Sequence, residues 1–442
     1  MNETKITIID EFPPETIAMM QALYSRSSES VEKHKEKVLQ TGSDKFMNSY
    51  YVGYGHSSIG DCGNTTIFFE GLSILAAKAI QDSQKFNGQE TSSRFINFSE
   101  QNIYNPLKGN HLSEEILYNW MQLYIKVLDY MQYKLTIKFP LKEGEDISIW
   151  NKAINARAFD VARGFLPAGI TTQTSWHTSL RDAYEKLYEL KFHPLEEVRD
   201  IANITLEDLK QKYPSSFSHK ENKELDNYYK ENALNINYLE TYLTDDISFV
   251  CDNNILTKVS YDSNKHFDFK ILSNRPKYSK IPKYYSKLGI FNLKFKLDYG
   301  SFRDIQRHRK GLCEIPLMCY SDGFNGWYLE QVDYDKDIGV LLYEQYQKMQ
   351  ILYQLYNISD VDLQYFTPLG NNVICELSYD LPQMVYVAEL RSNLSVHPTL
   401  RKIAHKMADF LEQEFPDIKL YIDRREDKFN INRGKQDIVS KN

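Results

Sequence analysis

Two segments of this chain repeat one another. That constrains the fold more than any other feature, because a chain built from copies of one unit must bury the same apolar faces twice. His193-Pro194 leads to Arg199, Ile201 and Ala202, and His397-Pro398 leads to Arg401, Ile403 and Ala404. In each segment a proline follows the arginine by 15 residues, directly after an aromatic: Tyr213-Pro214 and Phe415-Pro416. A proline suits a helix start, where its missing N–H would be unpaired anyway, and a later proline ends the helix. Both segments therefore predict amphipathic helices starting at the His-Pro pair. Leu400, Ile403, Met407, Phe410 and Leu411 recur at helical spacing, and Val198, Ile201, Thr205 and Leu209 do so more weakly. These are read as core side chains.

A second echo lies upstream of each. Thr65 to Phe69 is β-prone and precedes a helix-prone run, Ala76 to Gln81. Ile290 to Leu297 alternates apolar and polar residues, the pattern of a half-buried strand, and leads to Asp304-Ile305-Gln306. Ile80-Gln81 and Ile305-Gln306 hold the same place. From Gln81 to Arg199 is 118 residues and from Gln306 to Arg401 is 95, so the first copy carries about 23 more, expected around Lys138 to Glu145. The polar run Ser215 to Asn235 reads as a linker. The expected organisation is a first copy over 1–214, a linker over 215–235 and a second copy over 236–442.

Composition narrows the class. A chain of 442 residues predicts two or three domains at roughly 100–200 residues each. With 42% hydrophobic and 26% charged residues it reads as soluble and globular. A formal charge of −7 argues against a nucleic-acid polymer as partner. Apolar runs such as Ile74 to Ala77 fall far short of the ~20 residues needed to span a bilayer. The acidic Asp10-Glu11 interrupts any signal-like start, so the expectation is a cytoplasmic protein with no membrane partner. Five scattered cysteines without a CxxC pair argue against a disulfide framework or structural zinc, and no metal is expected. There is no GxGxxG, Walker loop or HExxH.

Several short stretches carry chemistry. Arg307-His308-Arg309, followed by Lys310, suits a phosphate-bearing ligand, because guanidinium groups make planar bidentate contacts to phosphate; a solvated helix end is the plainer reading. Gly88 to Phe95 combines Glu90, Ser92 and Arg94 into a possible phosphate cradle or a polar junction. Gly55 to Cys62 places His56 in a glycine-bounded loop, as a pocket residue or a buried structural histidine. Arg163 and Arg391 sit in otherwise apolar stretches, where an unpaired charge would be costly. The run Arg275 to Lys287 mixes basic and aromatic residues and reads as a solvated, proline-broken loop.

Together these residues resemble flavin-dependent thymidylate synthase, in a tandem form with two copies of the domain. The family motif is Arg-His-Arg-x-x-Ser-x-Asn-x-x-Ser-x-Arg-Tyr. In the second copy Arg307-His308-Arg309 and Tyr320 match it, whereas Leu312, Glu314, Leu317 and Cys319 replace Ser, Asn, Ser and Arg. In the first copy Ser92 and Arg94 match, with Glu90 where the family often has Glu. There Asp82-Ser83-Gln84 replace Arg-His-Arg, Asn87 and Gln89 replace Ser and Asn, and Phe95 replaces Tyr. The family's Ala-Arg-x-x-Leu-Pro survives as Ala162-Arg163 to Leu166-Pro167, against Gln364 before Pro368. Its Leu-Arg survives as Leu390-Arg391, against Leu190-Lys191, and His56 fits its Gly-His loop.

The resemblance implies an α+β fold of two tandem α/β domains forming a pseudo-dimer. It also implies a homodimer of chains forming a pseudo-tetramer, in which each copy supplies one half of every live site. It implies reductive methylation of dUMP to dTMP with FAD as cofactor and methylenetetrahydrofolate and NAD(P)H as co-substrates. Glu90, Ser92, Arg94 and Arg163 would hold dUMP. Arg391 would bind the base and stabilise charge on it as the catalytic residue, and His56, Arg307, His308 and Arg309 would take the flavin side. The alternatives are a flavin enzyme for another pyrimidine nucleotide and a non-catalytic flavin- or nucleotide-binding protein.

Overall fold

The structure is a computed structural model that describes residues 11–25, 27, 30–53, 57–220, 222–235, 256–261, 267–277 and 279–435. These residues form two compact units. One gathers the described parts of Met1–Leu72, Ala76–Glu90 and Thr172–Ile236; the other gathers those of Ser73–Leu75, Thr91–Thr171 and Asn237–Asn442. Among the described residues no helix is long and apolar enough to cross a membrane.

The first unit holds a three-stranded sheet of β1 (Asn64–Ser73), β2 (Asn87–Glu90) and β3 (Thr171–Ser179) in the order β1-β3-β2. Ser179 ends β3 and caps the next helix, Leu180–Leu190, by accepting from the Asp182 N–H at 3.0 Å. Helix Glu196–Lys212 follows and buries Val198, Thr205 and Leu209, as its spacing predicts. It starts two residues after Pro194, with Leu195 at the N-cap. Arg199 donates instead to the His193 and Pro194 carbonyls, at 2.8 and 2.7 Å, and closes that turn. The stretch read as a linker is partly structured: Ser215, Ser216 and Phe217 are buried, and Lys223–Asn235 is a helix. The Tyr188 hydroxyl donates to Asp226 on that helix at 2.5 Å, so tertiary contact overrides the polar composition.

The second unit holds β4 (Leu256–Tyr261), β5 (Gly289–Asp298), β6 (Leu312–Glu314) and β7 (Asn372–Asp380) in the order β4-β5-β7-β6, all neighbours antiparallel. Phe291, Leu293, Phe295 and Leu297 alternate inward along β5, as the sequence pattern requires. Asp380 ends β7 and caps helix Leu381–Arg391, and helix Pro398–Glu414 follows with Pro398 in its first turn. Leu400, Ile403, Met407 and Leu411 are buried along it.

The two sheets share order and register. Asn87 faces His177 and Gly88 faces Trp176, while Leu312 faces Ser378 and Cys313 faces Leu377. These positions correspond when the two halves are aligned on Gln81 with Gln306 and on Leu180 with Leu381. The alignment sets Leu190, not Lys191, where Arg391 stands. The additional residues of the first half are mostly helix rather than loop. Helix His111–Lys138 has 28 residues against 21 in Lys336–Tyr356, and Ile147–Ala162 has 16 against four in Asp360–Leu363.

Within the second unit, residues 163–170 run antiparallel to residues 364–370. Pro167 bridges Pro368. The Ala168 N–H donates to Thr367 O at 2.9 Å and the Leu369 N–H to Leu166 O at 2.7 Å. Gly169 donates to Tyr365 O at 2.9 Å and Gly370 to Gly164 O at 2.7 Å. Each bond has its reciprocal, as in contacts across a two-fold axis. Helices His111–Lys138 and Lys336–Tyr356 also pack together, with Trp120 edge-on to Tyr346 at 6.2 Å.

This crossing leaves no room for a side chain at its glycines. A Cβ on Gly164 would stand 2.5 Å from the Tyr328 ring, and one on Gly370 2.5 Å from Phe324, both rings fully buried. Gly370→Ala should cost about 1–3 kcal/mol through overpacking. Gly339→Ala, in an open helical position, should gain about 1 kcal/mol. Urea unfolding of the two variants tests the contrast.

Candidate functional site

The short helix Tyr299–Ile305 organises the site. Asp298 caps it, accepting from the Ser301 N–H at 2.9 Å, so Asp304 falls in its last turn and Arg307-His308-Arg309 just beyond. Helix Leu381–Arg391 ends beside it. Arg391 Nε donates to His308 Nε2 at 2.7 Å, and its Nη2 donates to the Asp304 carbonyl. Arg307 Nε lies 3.9 Å from Asp304 Oδ1. Burial works against a charged Asp304, but Arg391, Arg307, Arg163 and Arg94 outweigh it and hold the carboxyl well below its usual range. Burial, then the Arg391 charge, pulls His308 down to about 3. Its ring is thus neutral, with Nε2 as acceptor and the proton on Nδ1.

Arg163 lies beneath this helix, 2% exposed. Its Nη2 donates to Ser301 Oγ at 3.0 Å and lies 3.8 Å from Asp298. Asp298 also accepts from the Tyr328 hydroxyl at 2.8 Å and the Thr399 hydroxyl at 2.5 Å. His397 Nε2 donates to the Asp160 carbonyl at 3.1 Å, and its Nδ1 lies 3.1 Å from Ser301 Oγ. Burial, with Arg163 and Arg94 nearby, keeps His397 neutral.

Arg94 comes from the loop after β2. Its Nε donates to Asp160 Oδ1 at 2.6 Å, its Nη1 to the Ser395 carbonyl at 2.9 Å, and its backbone N–H to Ser92 Oγ at 3.3 Å. Asp160 is fully buried and also binds Arg433. Burial opposes its charge, and the two guanidiniums overcome that and keep it ionised.

The second unit therefore holds Ser92, Arg94, Arg163, Arg307, His308, Arg309 and Arg391, drawn from both halves of the sequence. Arg94, Arg163, Arg307 and Arg391 act together on Asp304. Arg307 is exposed, whereas Arg163 and His308 are buried and engaged with protein groups. Glu90 belongs to the first unit, where its carboxylate meets Lys78 Nζ and Gln81 Nε2, each at 3.0 Å. His56 lies outside the described residues. Arg275, read as part of a solvated loop, is buried in an ion pair with Glu389. A cavity of about 430 Å³ between β1 and helix Glu196–Lys212 contains none of the candidate residues.

Sequence reasoning missed Asp160, Asp298, Asp304, His397 and Arg433 as site residues. Asp160 had a signal: it stands one helical turn before Arg163 in the apolar run Ala158 to Ala162. Arg433 had none, because only the course of the C-terminal tail brings it there. Among the described residues no group of three or more His, Cys, Asp or Glu side chains could hold a metal ion.

Comparison with known proteins agrees with the motif. Residues 7–215 match the family Thy1, described as thymidylate synthase complementing protein. The matched region lies within the first half of the sequence. It is also similar to a UPF0159 protein of Chlamydia muridarum, 23% identical over 430 residues, covering 85% of this chain and 80% of the relative. A UPF0159 protein of Chlamydia pneumoniae is likewise 23% identical, over 81% of this chain and 76% of the relative. Among solved structures, the flavin-dependent thymidylate synthase ThyX from Helicobacter pylori, complexed with FAD and dUMP, is 16% identical. That match covers 46% of this chain and 93% of that one, with a TM-score of 0.27.

The buried histidines make acid stability a test of this geometry. Burial also pulls His193 of the first unit down to about 3. His308, His397 and His193 stay neutral in the folded chain while their unfolded counterparts take up protons near about pH 6.5. Their stabilisation is complete above that pH and is lost progressively as pH falls toward the folded pKa values. The melting temperature should be flat from about pH 8 to 7 and fall from about 6.5 to 5. His397→Asn, though less stable, should show a shallower fall.

Proposed function

We propose that the chain is a flavin-dependent thymidylate synthase that methylates dUMP to dTMP reductively, using FAD, methylenetetrahydrofolate and NAD(P)H. The observation that carries this reading is the convergence of Arg94 and Arg163, from the first half of the sequence, with Arg307 and Arg391, from the second, around helix Tyr299–Ile305: Arg163 donates to Ser301, Arg391 to the Asp304 carbonyl, and Arg94 to Asp160, whose carbonyl His397 joins to Ser301. These arginines belong to the complementary motif halves that the two copies retain. The reciprocal bonds at Pro167 and Pro368 and the shared strand register support two copies of one domain arranged as a pseudo-dimer.

The opposite combination is depleted. Where Arg163 meets Asp298, the equivalent positions hold Gln364 and Ser73; where Arg391 meets His308, they hold Leu190 and Ser83. Leu317 and Cys319, at the nucleotide-side motif positions of the second copy, are buried. A dimer of chains would then have two live sites rather than four.

In this reading Arg94 and Ser92 receive the phosphate of dUMP, and Glu90 belongs to the nucleotide side. Arg163 lends positive charge from beneath, because its guanidinium faces Ser301 and Asp298 rather than solvent. Arg391 donates to the pyrimidine carbonyl as negative charge develops there, an electrostatic role that needs a fixed guanidinium. His308 and the Asp304 carbonyl supply that fixation. Arg307 and Arg309 fit the flavin's phosphates, since both follow the end of helix Tyr299–Ile305 and Arg307 is exposed; His56 takes the flavin or folate side. Bound FAD would supply the redox chemistry, and the protein the orientation and charge. The substituted motif positions Asn87, Gln89, Leu312 and Glu314 favour, as a second reading, a different pyrimidine nucleotide as substrate.

Purified protein should show an oxidised-flavin spectrum after reconstitution with FAD and release tritium from 5-labelled dUMP. A colourless protein that cannot be reconstituted overturns the flavin reading, and flavin without tritium release shifts it to the second. Arg391→Ala should lower turnover by about 10²–10³-fold. Arg94→Ala and Arg307→Ala should each be inactive. Mixing them should not restore activity, because both residues serve one site within one chain.

A further inference from the structure

After helix Pro398–Glu414 the chain continues as a strap along helix Ile147–Ala162. Arg157 pairs with Asp427 at 2.6 Å, and Phe139 stacks on Phe429 at 4.6 Å. A turn at Ile431–Lys435 closes onto the helix so tightly that a Cβ on Gly434 would stand 2.0 Å from the Ile149 carbonyl. The strap lies beyond the repeated elements, and it delivers Arg433 to Asp160, the carboxylate that already holds Arg94. The Arg433 guanidinium also lies 5.6 Å from the centre of the exposed Phe95 ring, one residue after Arg94.

Two guanidiniums thus share one buried carboxylate. A buried aspartate left without a cation is strongly destabilising. If Arg94 were its sole partner, turning Arg94 toward a ligand would strip Asp160 of its charge partner. With Arg433 in place, Asp160 stays neutralised while Arg94 moves. The two arginines and Asp160 together carry one net positive charge, and both arginine side chains are partly exposed, 12% for Arg94 and 17% for Arg433.

We propose that Arg433 is a positioning residue: the C-terminal strap holds it on Asp160 so that Arg94 is released to a phosphate group in the site. This deepens the nucleotide reading and rests on it for the identity of the phosphate, which there is the 5′-phosphate of dUMP.

The test measures binding of dUMP, 2′-deoxyuridine and inorganic phosphate to the full chain and its variants by calorimetry, alongside melting temperature. Arg433→Ala should weaken dUMP and inorganic phosphate at least tenfold and leave any deoxyuridine binding unchanged. Arg433→Lys should restore most of the loss. In an Asp160→Asn background, Arg433→Ala should have little further effect on phosphate affinity, because no carboxylate then competes for Arg94. A merely structural strap would lower the melting temperature and weaken all three probes alike, which overturns the proposal. It is also overturned by unchanged phosphate affinity in Arg433→Ala, or by a wild-type protein that binds neither phosphate probe. Wild-type binding of inorganic phosphate but not dUMP, with the same tenfold loss in the variant, sinks the nucleotide reading and leaves the role of Arg433 standing.

Discussion

The rest of the second unit depends on the reciprocal pairing of residues 163–170 with residues 364–370. Four backbone hydrogen bonds and the Pro167–Pro368 bridge join segments about 200 residues apart in sequence. Gly164 and Gly370 permit the approach, since any side chain would meet the Tyr328 or Phe324 ring. Because Arg163 begins the first segment, the same crossing sets its guanidinium under the helix capped by Asp298. A non-local contact with its own local symmetry thereby positions a charge from one half of the chain against a carboxylate from the other.

Charge is then distributed in layers. Asp298 holds Arg163, Asp304 lies beside Arg307 and Arg391, and Asp160 holds Arg94 and Arg433. The fully buried Asp298 and Asp160 each have hydrogen-bonding partners, which is the condition under which burying ions is tolerated. Neutral histidines fill the joints: His308 accepts from Arg391, and His397 spans Ser301 and the Asp160 carbonyl. Burial keeps both rings uncharged among so many arginines, where a further positive charge would be repelled.

Much of the fold was legible in the sequence. The inward alternation along β5 and the buried face of helix Pro398–Glu414 follow directly from residue spacing. Motif spacing gives the first half about 23 more residues than the second, but not where they lie, because a long helix and a short one can both precede the same motif. The Ser215 to Asn235 run misled for a related reason. Its composition is that of a solvated connector, yet Phe217 and the Tyr188–Asp226 bond anchor it.

The sequence by itself determined the strand over β5, the buried face of helix Pro398–Glu414 and the likeness of the His193-Pro194 and His397-Pro398 segments, because strand and helix periodicity and residue identity are local properties. Tertiary structure alone decided which charges meet. Asp304 and Arg433 read as ordinary polar residues along the chain. They become significant because the crossing at Pro167 and the path of the C-terminal strap bring distant segments within hydrogen-bonding distance, where burial makes each pairing obligatory.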